Sequence, residues 1–248
     1  NKKIVRVGGL GVFIGFISST IFIYIIQNLL NAEIRLFSSV IIISIISSIC
    51  FFLVGLFDDL FELSPFLRLG IQALITTFAW GNGLRIQNID ISLLNIGFTD
   101  FIIPTFFSLI LTFIWLVAIT NSINWMDGLD GLAAGIVLIT TLGIALVNYY
   151  SGQLGLYYIS LSLAGSSLGF LKFNFYPSKI HMGDSGSYFL GFSLAFLSIL
   201  TFTQFNNEST YQLFSLHKSF FFVFIPLFDM FYVISVRLLK GKSPFFPD

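Results

Sequence analysis

Eight runs of predominantly apolar residues, each closed by a short polar break, leave this chain few folds to choose from. They cover 8–30, 36–57, 65–80, 100–120, 131–150, 154–171, 187–204 and 217–238. A helix needs about 20 apolar residues to cross a bilayer, and within lipid every backbone N–H and C=O must be bonded inside the element. The runs therefore predict an all-α, polytopic transmembrane helix bundle of about eight spans, the third and sixth being the shortest. Composition agrees: 56% of the 248 residues are hydrophobic, only 10% are charged, and the mean hydropathy is +0.93, far from the makeup of a soluble domain.

A net charge of zero with only 12 Lys and Arg excludes nucleic acid as a partner, because phosphate-backbone binding needs a basic surface. Cys50 sits alone inside an apolar run and reads as a small packed hydrophobe. With Asn1 inside the cell, Lys2, Lys3, Arg6, Arg68, Lys172, Lys179, Arg237, Lys240 and Lys242 fall inside and Arg35, Arg85 and Lys218 outside, which satisfies the positive-inside rule. The same topology puts Asp58, Asp59, Glu62, Asp127, Asp130, Asp184, Asp229 and Asp248 inside, against Glu33, Asp90, Asp100 and Glu208 outside. Acids contribute little to orientation, so their gathering on one side needs a chemical cause. The loop Gly81 to Thr99 contains the alternating stretch Ile89-Asp-Ile-Ser-Leu93, which predicts a small external β-hairpin. No repeat of fixed period and no low-complexity linker divides the chain, so residues 1–248 read as one domain.

Three inner segments carry the polar residues. Gly55-Leu-Phe-Asp-Asp-Leu-Phe-Glu-Leu-Ser-Pro65 places paired carboxylates at the mouth of the second span, where a solvated helix end with Ser64-Pro65 starting the next helix is the plain alternative. Asn121-Ser-Ile-Asn-Trp-Met-Asp-Gly-Leu-Asp130 follows the fourth span; its Asn and Asp side chains can cap the next helix or present oxygens and amides to a base or ribose. It lacks the ligand ladder of an EF-hand loop. Lys172 to Ser187 combines two lysines, aromatics and Met182-Gly-Asp-Ser-Gly-Ser187, a natural anion site at a helix start, with an aspartate suited to Mg²⁺ and lysine suited to phosphate. His181 alone is more often an interfacial or satisfied histidine than a ligand.

Taken together, Gly8-Gly9, Asp58-Asp59, Asn121-x-x-Asn124-x-x-Asp-Gly-x-Asp-Gly131, Asn174-x-x-Pro177-x-Lys179-Ile-x-Met-Gly-Asp-x-Gly-Ser187, Pro226-x-x-Asp229 and Arg237 resemble the polyprenyl-phosphate N-acetylhexosamine-1-phosphate transferases, glycosyltransferase family 4. The resemblance covers nearly the whole chain. It is closer to the bacterial enzymes that load undecaprenyl phosphate from UDP-GlcNAc than to phospho-MurNAc-pentapeptide translocase. It implies attack of a lipid phosphate oxygen on the β-phosphorus of a UDP-N-acetylhexosamine, with release of UMP. It also implies Mg²⁺, or Mn²⁺ in its place, with Asp184 as ligand. Asp58 or Asp59 would serve as base or orient the lipid phosphate, and Lys179 and Arg237 would complete the catalytic set. Asn121, Asn124, Asp127, Asp130, Asn174, His181 and Asp229 would line the substrate pocket. The implied setting is the bacterial plasma membrane with the site on the cytoplasmic side, and a homodimer is compatible with it.

The chain departs from that pattern in three places. His181 stands where the family commonly has a Phe that stacks on uracil, and Val5 where Pro is usual. The family also continues into a His-rich cytoplasmic loop, so a span before Gly8 and further spans after Asp248 are expected. The rival from another class is a proton-coupled carrier, which would spread acids across the membrane depth; a catalytically silent scaffold is the third reading.

Overall fold

The structure is a computed structural model and describes residues 8–29, 37–90, 100–205 and 212–243. Lys2, Lys3, Val5, Arg6, Glu33, Arg35, Glu208 and Asp248, counted above, lie outside the described residues. Among the described residues eight helices form: α1 (Gly8–Leu29), α2 (Ser39–Phe61), α3 (Pro65–Gly81), α4 (Thr105–Met126), α5 (Leu132–Tyr150), α6 (Leu154–Asn174), α7 (Gly183–Phe202) and α8 (Leu216–Leu239). All but α3 are long and apolar enough to cross a membrane, and the chain is a multi-pass membrane protein. At 17 residues, α3 extends only about 25 Å. It nonetheless returns the chain from the Asp58 end of the bundle to the opposite end, where α4 begins.

The bundle is built around α7. Almost every residue from Ser185 to Phe202 is buried, because α7 packs against α1, α2, α4, α5, α6 and α8. Small residues let the backbones approach in the manner of membrane helices: a Cβ on Gly9 would meet the backbone of Gly186 at 2.5 Å. Aromatic rings fill the wider gaps. Phe51 stacks on Phe192 at 4.3 Å, and Phe189 meets Phe13 and Phe16 edge to face. Polar side chains inside the bundle find one another across helices, Trp115 with Ser198 at 3.0 Å and Asn148 with Thr201 at 3.0 Å.

Among the described residues, four strands of three residues each lie at the end remote from Asp58 and Asp184: β1 (Asn88–Asp90), β2 (Asp100–Ile102), β3 (Thr203–Phe205) and β4 (Gln212–Phe214). They pair in the order β2-β1-β4-β3. The hairpin expected within Gly81 to Thr99 is not supported, residues 91–99 lying outside the described residues. Its strand is described only over 88–90, and the antiparallel partner is 100–102, the segment assigned to the start of the fourth span. β1 also pairs in parallel with β4, so the connections before α4 and before α8 share one sheet.

Candidate active site

The helices run through the polar segments instead of stopping before them. α2 carries Asp58 and Asp59 on its last turns, α4 continues through Asn121 and Asn124 to Met126, and α7 begins at Gly183 with Asp184 in its first turn. Asp58, Asp59, Asn121, Asn124 and Asp184 are each met by a partner from a different helix, which lets the helices extend.

The centre of the cluster is the start of α7. Asp59 accepts the backbone N–H groups of Asp184 and Ser185, both at 2.9 Å. Gly183 stands at φ +76, a left-handed conformation for which glycine is suited. Asn124 donates through Nδ2 to Asp184 Oδ1 at 2.6 Å and to Ser187 Oγ at 2.9 Å. Asp127, just past the end of α4, completes the group. Burial, then the negative charges of Asp184 and Asp59, push its pKa up to about 7, against a smaller opposing effect of a hydrogen bond from the Gly183 backbone. Three acids brought together this way repel one another and favour a cation.

Asp58 faces elsewhere. Only 5% exposed, it forms an ion pair with Arg68 at 2.7 Å and accepts the N–H of Leu63 at 2.9 Å and the hydroxyl of Tyr188 at 3.3 Å. The guanidinium of Arg68 lies over the Tyr188 ring, 5.9 Å from its centre. Arg68 and Tyr188 were not among the expected site residues; a lone cation ten positions after Asp58 was the available signal for the first, whereas the second is an ordinary aromatic of an apolar helix.

A second set joins two loops. Asn174, expected to line the substrate pocket, is buried with its amide engaged at both ends: it accepts from Gly131 N–H at 2.9 Å and donates to the Ile180 carbonyl at 2.9 Å. It is a strut between the 127–131 and 175–182 segments. Asp130 is solvent-exposed and accepts the Ser178 N–H at 3.0 Å; the bonds from Ser178, and to a lesser degree His181, hold its pKa below the usual value. Lys179 is exposed, its backbone N–H bonded to Phe173. The carbonyls of His181 and Met182 receive the N–H groups of Gly8 and Gly9 at 3.0 and 2.9 Å, docking the start of α1 onto this loop.

Three expected residues stand outside the cluster as described. Asn121 donates to Gln72 at 3.2 Å and to the Val117 carbonyl at 2.8 Å. Asp229 lies on α8, and Arg237, on its last turn, donates to the Ser243 carbonyl at 3.4 Å. Asn121, Gln72 and Arg68 line a groove of about 300 Å³ between α3, α4 and α8, walled by Phe66, Phe113 and Ile234 among others. Arg68 thus joins the groove to Asp58. A more voluminous groove, about 660 Å³ between α1 and α6, has no charged side chain in its lining.

Among the described residues, no three His, Cys, Asp or Glu side chains converge closely enough to hold a metal by themselves. This donor set fits Mg²⁺, which typically takes one or two protein carboxylates and completes its shell with water and substrate phosphates.

The chain is thus a many-helix membrane bundle with a cluster of acids at the start of its central helix. The family model described as glycosyl transferase family 4 matches residues 40–202, and the chain belongs to that family. It is 32% identical over 248 residues, all of this chain and 64% of the relative, to a Bacillus subtilis (strain 168) protein named probable undecaprenyl-phosphate N-acetylglucosaminyl 1-phosphate transferase. It is 34% identical over 201 residues, 81% of this chain and 56% of the relative, to the undecaprenyl-phosphate alpha-N-acetylglucosaminyl 1-phosphate transferase of Thermotoga maritima. Against the phospho-N-acetylmuramoyl-pentapeptide-transferase of Moorella thermoacetica it is 48% identical, over 89 residues, 36% of this chain and 28% of the relative. The chain spans less than two thirds of the length of these relatives.

Proposed function

We propose that this protein transfers N-acetylhexosamine 1-phosphate, most simply GlcNAc 1-phosphate, from a UDP-sugar to undecaprenyl phosphate, initiating a cell-envelope glycopolymer. The observation that carries the reading is the gathering of Asp184, Asp127 and Asp59 with Asn124 at the head of α7, in a chain that aligns over its full length with a relative of that name. A lipid phosphate oxygen attacks the β-phosphorus of the donor and forms the new P–O bond. The bond from the β-phosphorus to the bridging oxygen breaks, and UMP leaves with the electron pair. With a second phosphate pKa near 6 the lipid phosphate is largely dianionic at neutral pH, charge is equal on the two sides, and no proton has to move.

The obstacle is then repulsion between two anions. Asp184, fixed by Asn124, would hold Mg²⁺ (or Mn²⁺) with Asp127 as the second acid, and the ion when bound supplies charge neutralisation and polarises phosphoryl oxygens. By the family resemblance alone, Lys179 and Arg237 are assigned to the donor diphosphate, Arg237 standing outside the cluster at the start of α7. Asp130, His181 and Asp229 are assigned to the nucleotide and sugar, and Asn174 keeps their two loops in register. The groove between α3, α4 and α8 receives the isoprenoid, with Asn121 and Arg68 in its lining. The setting is the bacterial plasma membrane with the site facing the cytoplasm, as the distribution of Lys and Arg favours; a homodimer is compatible with this arrangement.

The test is transfer of labelled sugar phosphate from UDP-GlcNAc to undecaprenyl phosphate by the full-length protein in detergent, with and without Mg²⁺. Metal-dependent lipid-linked product and release of UMP are expected; no product from a panel of UDP-sugars overturns the reading. A second reading, transfer of phospho-MurNAc-pentapeptide, is favoured by the 48% identity to the Moorella relative. That identity is confined to about a third of the chain, so the same panel includes UDP-MurNAc-pentapeptide.

A further inference from the structure

Both oxygens of Asp58 and both oxygens of Asp59 accept hydrogen bonds from the protein, and we infer that this pair acts by positioning the reacting groups, Asp59 as the cap that fixes Asp184 and Asp58 as the anchor of Arg68. The N–H groups of a helix's first turn have no partner within the helix and need an outside acceptor. Ordinarily the preceding residue supplies one. Here that residue is Met182, whose side chain makes no cap bond. The cap comes instead from Asp59 on α2: Oδ1 takes the Asp184 N–H and Oδ2 the Ser185 N–H, each at 2.9 Å.

The surroundings are shaped for this contact. A Cβ on Gly183 would stand 2.9 and 3.0 Å from the Asp59 carboxylate oxygens, and one on Gly55, a turn earlier on α2, would run into the backbone of Asp184. Two glycines therefore bring the end of α2 against the start of α7, and Asp59 joins them. The Asp184 side chain is thus held at its base by Asp59 and at its tip by Asn124. Asp58 does the equivalent for the other end of the site. Its bonds to Leu63 N–H, Arg68 and Tyr188 tie the α2–α3 turn and aim the guanidinium that lines the α3–α4–α8 groove. The inference rests on the transferase reading, in which attack by a phosphate dianion leaves a base nothing to do.

Three variants in the full-length protein test it: Asp59→Ala, Asp59→Asn and Gly183→Ala. Amide hydrogen exchange over Gly183–Gly186 should accelerate about five- to tenfold in Asp59→Ala, the equivalent of a lost cap, and less in Asp59→Asn, which keeps one acceptor oxygen. Mn²⁺ binding, followed by electron paramagnetic resonance, should weaken in the same order. Turnover at saturating Mg²⁺ should be higher in Asp59→Asn than in Asp59→Ala, and Gly183→Ala, which keeps the carboxylate but displaces it, should lose turnover as well. Equal losses of a hundredfold or more in Asp59→Asn and Asp59→Ala, the size of a missing general base, with exchange and Mn²⁺ binding as in the wild type, would overturn the inference. So would wild-type turnover in Gly183→Ala. If the wild-type protein transfers no sugar phosphate, the exchange measurement alone decides: unchanged protection of α7 in Asp59→Ala refutes the cap whatever the reaction is.

Discussion

At the scale of single residues the telling group is Asp127. Burial and the neighbouring acids raise its pKa from 3.8 to about 7, so between these values the folded protein binds a proton that the unfolded chain has released. The stability this contributes is present below the unfolded pKa and is lost as pH rises through the folded one. In the presence of EDTA the melting temperature should therefore fall between pH 5 and pH 8, and Asp127→Asn should flatten that slope. A divalent cation favours the ionised carboxylate, so added Mg²⁺ should raise the melting temperature more at pH 8 than at pH 5. Tryptophan fluorescence melts in detergent read both effects. Asp184→Asn keeps the fold and the bond to Asn124 available, while removing the charge. It should abolish Mg²⁺-dependent turnover with little change in melting temperature; retained turnover would take Asp184 out of the metal site.

Among the elements, the junction of α2 and α3 concentrates the most consequence in the fewest atoms. Asp58 bonds the N–H of Leu63 within the turn and the guanidinium of Arg68 on α3, while Ser64 caps α3 through Leu67 N–H and Pro65 occupies its first position. Removing one partner of a buried ion pair leaves the other uncompensated, at a cost of roughly 3–5 kcal/mol. Arg68 remains 25% exposed, which places Arg68→Ala at the low end of that range. Adding Asp58→Asn should recover part of the loss, because the orphaned charge is gone. Melting temperatures around this double-mutant cycle check the coupling. Additive losses would show that the pair contributes nothing beyond its separate packing.

For the molecule as a whole, the arrangement around α7 sets Asp58, Asp59, Asp127 and Asp184 at one end of the bundle and opens a groove beside them. Ala118 lines that groove between α3, α4 and α8, so Ala118→Trp should raise KM for the polyprenyl acceptor several-fold and leave KM for the UDP-sugar unchanged. An effect confined to the donor would move the lipid elsewhere. Asp58, Asp59, Asp127 and Asp184 sit at helix ends on one side, whereas Asp229 lies in the middle of α8; a proton-coupled carrier would need acids spread across the membrane depth.

How far such an arrangement can be read in advance depends on the range of the interactions behind it. The spans were legible to within a few residues in α1, α3, α5, α6 and α8, because hydrophobic length in lipid is a local property of the chain. The three helix ends that build the site were misplaced: α2 and α4 run four to six residues further and α7 starts four earlier than their apolar runs. Asp, Asn and Gly read locally as loop formers, and they become helical here only because partners 60 to 126 positions away satisfy them, as in Asn124 with Asp184 and Asp59 with Ser185. The same holds for the strands, whose partners lie across two separate connections. Residue types and their order were enough to specify a membrane bundle and the cast of acids, amides and cations, since apolar length and side-chain chemistry travel with each residue. Which acid caps a helix, which pairs with arginine and which is buried beside other acids depended on helices meeting in space, because those roles are assigned by neighbours that no local stretch of chain contains.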